Sequence, residues 1–583
     1  MSQQVPRLKS RKVWWTAPES PERAADLGRR LGVPAFVGQV LINRGAEDFE
    51  AARTFLSPQL THLPDPRELP GVSEAAARIA RAVESREKIV IYGDYDVDGT
   101  ASVAILYRLL TLTGADVSTY VPSRLDEGYG LNLDAMRHLS ENGAQLIVTV
   151  DCGITAVEEA AYLAERGIDL VVTDHHEGGE GTPQAAAIID PKVGAPAGAF
   201  RDLAGGGVAF NLAWATAQDL SGSARVRPEF RDLLVDALAL VALGTVTDVV
   251  PLLGVNRTLV SFGLQELAHS RLAGVRALVE ASGLSGKKLA ADRIAFVLAP
   301  RLNAAGRMGD AGESVELFVT DDDRRASEIA AVLDERNSAR QKEQKQIFEQ
   351  ALALIEREIA VETENAIVLA EESWHGGVIG IVASRIVDEF HRPTVVITLE
   401  GEEGQGSARS IPEVNLFEAL HGVQSLLLSF GGHAQAAGLR IRRDRLSAFR
   451  EAFSREVARQ VSIEEMRPGL RIDARVELRD LVGEAVEALG RLAPFGHGNP
   501  APVLAAEGVE VVGVPSRMGA DGKHLALMLR QGDRVIRAVA FGGGEWLAPI
   551  ERSGKIDVAF VPGINTYQGA RSVELRIEDL AVY

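Results

Sequence analysis

KIVIYGDYDVDGTAS, residues 88–102, decides the reading of this chain. Its first half is an apolar, β-branched run of the kind that forms a strand covered on both faces. The run then stops, and three aspartates follow on alternate positions, Asp94, Asp96 and Asp98, before GTAS opens a helical pattern. Like charges this close repel one another, so a fold that gathers them at the end of a buried strand calls for a cation among them. Each also has an ordinary reading, since an aspartate ahead of a helix is a common N-cap and Asp98 before GTAS fits that role.

The same arrangement recurs twice downstream. LIVTVD ends in Asp151, and DLVVTDHH ends in Asp174, His175 and His176, with the helical stretches GTASVAILYRLLTLTG and TAVEEAAYLAERG between the strands. Strands alternating with helices predict a parallel sheet of β-α-β units, and ligands of such sheets collect at the carboxyl ends of the strands. Three strand ends in succession carrying carboxylates or imidazoles are poorly explained by coincidence. The mixed oxygen and nitrogen set suits Mn²⁺ or Mg²⁺ better than structural zinc. Two ions sharing one carboxylate fit this many ligands, and Asp151, in the middle, is the bridging candidate. Cys152 beside it reads as a small buried residue.

The whole chain sets limits on what this site serves. With 583 residues, 46% hydrophobic and 25% charged, it has the composition of several globular domains. A single cysteine rules out an internal disulfide. A net charge of −19 rules out a protein held to nucleic acid by bulk positive charge, so a phosphate-rich ligand must be met locally. The N-terminal MSQQVPRLKSRKVWW lacks the apolar centre of a signal peptide, and no apolar run reaches spanning length, which predicts a cytoplasmic protein with no membrane partner. Punctuation and periodicity divide the chain into an N-terminal helical cap (1–80), an α/β unit with a helix-rich end (81–320), a long connecting helix (321–364), a smaller α/β unit (365–460) and a β-rich portion with Gly-containing turns (461–583) that suggests a small closed barrel. Phe541, Trp546 and Tyr567 are its candidate platforms for stacked bases.

DYDVDG, VDCG, TDHH and GTVTDVVPL, the last with Asp248, resemble the four motifs of the DHH phosphoesterase superfamily. LINRG, APRLNAAGRM (299–308), GGHAQAAG (431–438) and PFGHGNPAP (494–502) resemble the RecJ branch, the single-strand-specific 5′→3′ DNA exonucleases. The resemblance implies an α/β fold: a DHH parallel-sheet domain and a DHH-associated α/β domain joined by the long helix, plus a C-terminal OB-like β-barrel. It implies a two-metal phosphodiester hydrolase, active in DNA repair and recombination, that binds a 5′-phosphate end and releases 5′-mononucleotides. Asp94, Asp96, Asp98, Asp151, His175 and Asp248 would ligate Mn²⁺ or Mg²⁺, and His176 would face the phosphate. Small-substrate relatives place a histidine four residues before Asp96, where this chain has Tyr92, so Asp94 is the expected replacement ligand. Substrate contacts are expected from Arg124, Arg301, Asn303, Arg307, Ser407, Arg409 and His433. Single-strand-binding protein and a RecQ-type helicase are the implied partners of a monomer. The competing readings are a DHH phosphodiesterase of oligoribonucleotides or cyclic dinucleotides, and an inactive structural subunit of a replication complex.

Overall fold

The computed structural model describes residues 12–582 apart from 124–126, 195–196, 309–310, 362, 520 and 568–569. The first sheet runs Val117–Tyr120, Ile89–Gly93, Leu146–Val150, Asp169–Thr173, Ala187–Ile189, every neighbouring pair parallel. All five residues of both Ile89–Gly93 and Leu146–Val150 are buried, which is why neither shows polar alternation in sequence. Ile89, Ile91, Leu146 and Val148 face the large core under helices Val97–Leu112, Gly205–Ser221 and Pro228–Thr247. Val90, Tyr92 and Ile147 face the other way, against Leu133–Glu141 and Val157–Ala164. From Ile89–Gly93 the chain moves to one side of the sheet, then crosses back to build the other. Such a reversal leaves a crevice at the carboxyl ends of the two strands that flank it, and Asp94 and Asp151 follow those two ends directly.

One helix, Asp323–Glu358, links this domain to the next, and its 36 residues span about 54 Å. Its first half buries Ala326, Ile329, Ala330 and Leu333 in the core of the parallel-sheet domain. Its second half buries Ile347, Ala351 and Ile355 in that of the smaller unit. The smaller unit has a five-stranded sheet ordered Leu427–Gly432, Ala436–Arg442, Glu403–Arg409, Thr394–Glu400, Ile367–Glu371. Helix Gly376–Phe390 joins its one parallel pair. At the C-terminus, Leu504–Met518, His524–Gln531, Arg534–Ala540, Ala570–Val582 and Lys555–Tyr567 pair in turn, and the last pairs back to the first. That closure makes a five-stranded barrel with no free edge.

The N-terminal segment is shared between the two ends of the molecule. Helices Pro21–Leu31, Ala35–Asn43 and Phe49–Leu56 enter the core of the barrel, and Val13–Thr16 pairs in parallel with Gly469–Ile472. Helix Val72–Ser85 instead packs into the core of the parallel-sheet domain. Arg257 holds the junction. Its guanidinium is buried and donates to the carbonyls of Phe55 at 3.0 and 2.8 Å, Leu492 at 2.8 Å, Arg491 at 3.2 Å and Ala493 at 2.8 Å. Of the stacking candidates, Trp546 is 7% exposed and belongs to the barrel core, because the turn Gly544–Trp546 folds the indole inward over Gly543. Phe541 is 63% exposed, and the side chain of Tyr567 lies outside the described residues.

Replacing Arg257 with Met strands those carbonyls in a buried site. It should lower the unfolding free energy by about 3 kcal/mol or more in urea denaturation, since each unsatisfied buried acceptor costs roughly 1–3 kcal/mol. A loss under about 1 kcal/mol would show that the junction does not depend on this side chain.

Candidate metal centre

Asp94 leaves the strand Ile89–Gly93 and is 4% exposed. Asp96 is the residue that caps helix Val97–Leu112, its Oδ1 accepting from the amides of Asp98 at 2.8 Å and Gly99 at 3.1 Å. Asp98, the expected cap, is the second residue of the helix and is fully buried. It accepts from Gly205 N at 2.6 Å and Gly206 N at 2.9 Å, at the start of helix Gly205–Ser221. This contact explains the glycines around it. A Cβ on Gly244 would overlap Asp98 Oδ1, and one on Gly205 would come within 2.7 Å of Asp151 Oδ1. Asp151 itself adopts φ +61°, a left-handed conformation that aspartate tolerates better than most residues and that turns its carboxylate into the crevice.

His175 meets these carboxylates. Its Nε2 is 3.0 Å from Asp151 Oδ1, 3.5 Å from Asp248 Oδ2 and 4.0 Å from Asp98 Oδ2. Asp248 is presented by the C-terminus of helix Pro228–Thr247. Ligand atoms fall into three groups, each within 4.8 Å: Asp94, Asp96 and Asp151; Asp98, His175 and Asp248; and Asp151, His175 and His176. Asp151 is thus common to groups on either side of it. Asp94 Oδ1, Asp151 Oδ1, His175 Nε2 and Asp248 Oδ2 are all buried and all without a hydrogen-bond partner. Two atoms 3.0 Å apart that do not hydrogen-bond are arranged as ligands around a common centre, not as donor and acceptor. The donor set fits divalent ions, with hard carboxylate oxygens, one neutral imidazole and no thiolate.

The electrostatics agree. Burial, reinforced by the charge of Asp96, pushes the carboxyls of Asp94 and Asp248 up to about 7. Burial and the neighbouring carboxylates hold Asp98 and Asp151 well above the usual range. His175 is pushed down to about 3, first by burial and then by His176, so its imidazole is neutral and able to ligate. Asp174 is a different case. Burial opposes its ionisation, yet the hydrogen bond from His176 and the amides of Ile154 and His175 keep it below the ordinary carboxylate value. It organises the turn rather than adding a ligand. His176 Nδ1 sits 2.7 Å from Asp174 Oδ1 and 2.9 Å from the Tyr129 hydroxyl. These two contacts fix the ring.

Tyr92, at the place of the missing histidine, is fully buried, stacks on Tyr120 and donates to the Gly130 carbonyl at 2.9 Å. It braces the loop that carries Tyr129, while Asp94 joins the group with Asp96 and Asp151. Ser407 and Arg409 project together from the strand Glu403–Arg409 toward Gly380, where a Cβ would come within 2.8 Å of Ser407 Oγ and 3.1 Å of Arg409 Nη2. His433 is exposed in the turn after Leu427–Gly432. Arg301 donates to Asp334 Oδ1 at 2.8 Å and to the Val297 carbonyl at 2.6 Å, so its guanidinium serves as a strut to the long helix. Asn303 lines a cavity beside Asp248. Arg124 and the side chain of Arg307 lie outside the described residues. Sequence reasoning missed Tyr129, the Asp174 brace and the approach of Gly205 and Gly206 to Asp98; the glycine run at a helix start was the available signal.

Three family descriptions match in chain order: the DHH family N-terminal domain over 88–245, the DHHA1 domain over 363–459 and the RecJ OB domain over 472–579. The single-stranded-DNA-specific exonuclease RecJ of Bacillus subtilis is 36% identical over 577 residues, covering 99% of this chain and 71% of that protein. That of Escherichia coli is 32% identical over the full length of both. The chain belongs to the RecJ family. Crystal structures of Thermus thermophilus RecJ with Mn²⁺ and with Mg²⁺ superpose with TM-scores of 0.80 and 0.73 at 31% and 29% identity, each covering 98% of this chain. The parallel-sheet domain, the DHH-associated domain and the OB-like barrel are therefore the architecture of the RecJ family.

Two outcomes test this centre. Gly244→Ala should displace Asp98 and lower nuclease turnover by about a hundredfold, the scale expected of a misplacement near 1 Å, with the fold intact by circular dichroism. Wild-type turnover would show that the close approach is dispensable. Because the folded carboxyls of Asp94 and Asp248 sit near 7, above the unfolded 3.8, their contribution is full below pH 4 and is lost as pH rises to about 7. Mn²⁺ should therefore raise the melting temperature more at pH 8 than at pH 5, and Asp151→Asn should abolish most of that rise. A rise independent of pH and of Asp151 would place the ion elsewhere.

Proposed function

We propose that this chain degrades single-stranded DNA from the 5′ end, releasing 5′-mononucleotides, with Asp94, Asp96, Asp98, Asp151, His175 and Asp248 holding two divalent ions. The observation that carries the reading is the set of buried, unpartnered oxygens and imidazole nitrogen that meet at the reversal point of a parallel sheet. Similarity in sequence to single-stranded-DNA-specific exonucleases, and in structure to RecJ with Mn²⁺ and Mg²⁺, supports the substrate and the ions. When bound, Mn²⁺ or Mg²⁺ supplies the positive charge and Lewis acidity that phosphodiester hydrolysis needs.

The protein's own part is positioning. Asp98, clamped by two amides, and Asp151, held in its left-handed turn, cannot drift when charge develops opposite them. His176, fixed by Asp174 and Tyr129, offers a hydrogen bond to a nonbridging phosphate oxygen. Ser407 and Arg409 offer an anion pocket beside the N-terminal part of helix Gly376–Phe390, where backbone amides and the helix dipole favour the terminal 5′-phosphate. Each cleavage regenerates such an end on the next nucleotide. Asn303, Arg307, His433 and Arg124 complete the substrate contacts in this reading. Its setting is the cytoplasm, in DNA repair and recombination. There the chain would act as a monomer with a single-strand-binding protein and a RecQ-type helicase to deliver the strand. No helix among the described residues is long and apolar enough to cross a membrane.

The test is digestion of 5′-phosphorylated and 5′-hydroxyl strands, end-labelled on either side, with Mn²⁺ or Mg²⁺. Mononucleotides should leave the 5′ side first, faster from the phosphorylated strand. Asp151→Ala should reduce the rate by at least about a thousandfold if both ions depend on it. Loss of nucleotides from the 3′ side first would overturn the polarity.

A further inference from the structure

Four arginines are buried among the described residues, and three of them meet either carboxylates or several backbone carbonyls. Arg78 pairs with Glu87 and Asp169. Arg257 and Arg392 donate to surrounding backbone carbonyls. Arg340 differs. It lies in the middle of the helix Asp323–Glu358, between the half packed on the parallel-sheet domain and the half packed on the smaller unit, and is 8% exposed. Its hydrogen-bond partners are two neutral side chains of its own helix, Asn337 Oδ1 at 2.9 Å and Gln344 Oε1 at 3.3 Å, and its Nε has none. No carboxylate among the described residues lies within ion-pair distance of it. A guanidinium cannot shed its charge at any working pH, so a buried one without an anion is costly to keep.

Arg340 faces a cavity of about 480 Å³, a size common for ligand pockets. One wall is Thr247 and Val249, the neighbours of Asp248; others are Phe296, Ile381 of the smaller unit, and Phe495 with His497 of the loop before the barrel. Val249 and Phe296 are 64% and 79% exposed, apolar side chains held open to solvent. The cavity thus borders the metal centre, is lined from the parallel-sheet domain, the long helix, the smaller unit and the loop before the barrel, has apolar walls suited to a base, and carries an uncompensated cation.

We infer that Arg340 binds a backbone phosphate of the DNA strand other than the one being cleaved, with an attached nucleoside against the apolar walls. The inference rests on the nuclease reading. It makes the strand itself the counter-ion that the buried helix lacks, and it ties grip on the strand to the helix that spaces the two α/β units.

The experiment uses the full chain and steady-state kinetics on a 5′-phosphorylated oligonucleotide over a range of salt. Arg340→Met should raise KM roughly tenfold or more, with kcat far less affected. The slope of log(1/KM) against log salt should become shallower by about 0.7, the value for one lost phosphate contact on a single strand. Arg340→Lys should keep the slope. Oligonucleotides carrying one neutral methylphosphonate linkage at a time locate the contact: one non-scissile position should raise KM for the wild-type protein and be silent in Arg340→Met. If Arg340→Met does not fold, the same scan on Arg340→Lys should show a reduced penalty at that position, because the forked contact is gone. Unchanged KM and salt slope in Arg340→Met, or a scan in which wild type and variant respond alike at every linkage, overturns the inference. A wild-type chain that does not degrade single strands would instead remove the nuclease reading beneath it.

Discussion

Burying Asp94, Asp98, Asp151 and Asp248 within reach of one another is the constraint on which the rest of the structure depends. Carboxylates taken out of water into one crevice either bind protons or bind cations. Amides of Gly205 and Gly206 clamp Asp98, a helix start uses one oxygen of Asp96, and a left-handed residue carries Asp151. Glycine at 244 and 205 is the local consequence, because any side chain there would crowd a carboxylate oxygen of Asp98 or Asp151. A neutral His175 among them completes a set whose atoms at Asp94, Asp151, His175 and Asp248 lack protein partners and whose chemistry fits divalent ions.

The architecture around the crevice follows from the same need. A parallel sheet whose strand order reverses between its two most buried strands delivers the end of each to one place, with helices on both faces covering the strands. The long helix then sets a second α/β unit at a fixed spacing, and its middle, where neither core claims it, is where the buried polar residues Asn337 and Arg340 appear. On the proposed reading an acidic chain holds a polyanion through ions and a few arginines, not through net charge.

Much of this was legible in the sequence, and the exceptions have physical causes. The strand KIVIY and its two counterparts could be read because a strand covered on both faces must be apolar throughout, and the convergence of their ends follows from parallel pairing. Which aspartate caps the helix could not be read, because Asp96 and Asp98 are both plausible caps until the approach of Gly205 and Gly206 is known. The N-terminal helices carry apolar stripes that fit either core, so their packing against a barrel more than 400 residues away leaves no local trace. Trp546 reads as a surface platform by type, yet a turn of three residues directs it inward. Arg340 reads as one more charge in a charge-rich helix, and only the absence of a neighbouring carboxylate among the described residues sets it apart.

The central claim is that the crevice is a two-ion site bridged by Asp151. The most direct measurement is anomalous diffraction from crystals of this chain grown with Mn²⁺. The account predicts two peaks on either side of the Asp151 carboxylate, one toward Asp94 and Asp96 and one toward His175 and Asp248. A crevice without anomalous density at saturating Mn²⁺, or a single ion that leaves Asp94 outside its coordination sphere, would contradict it.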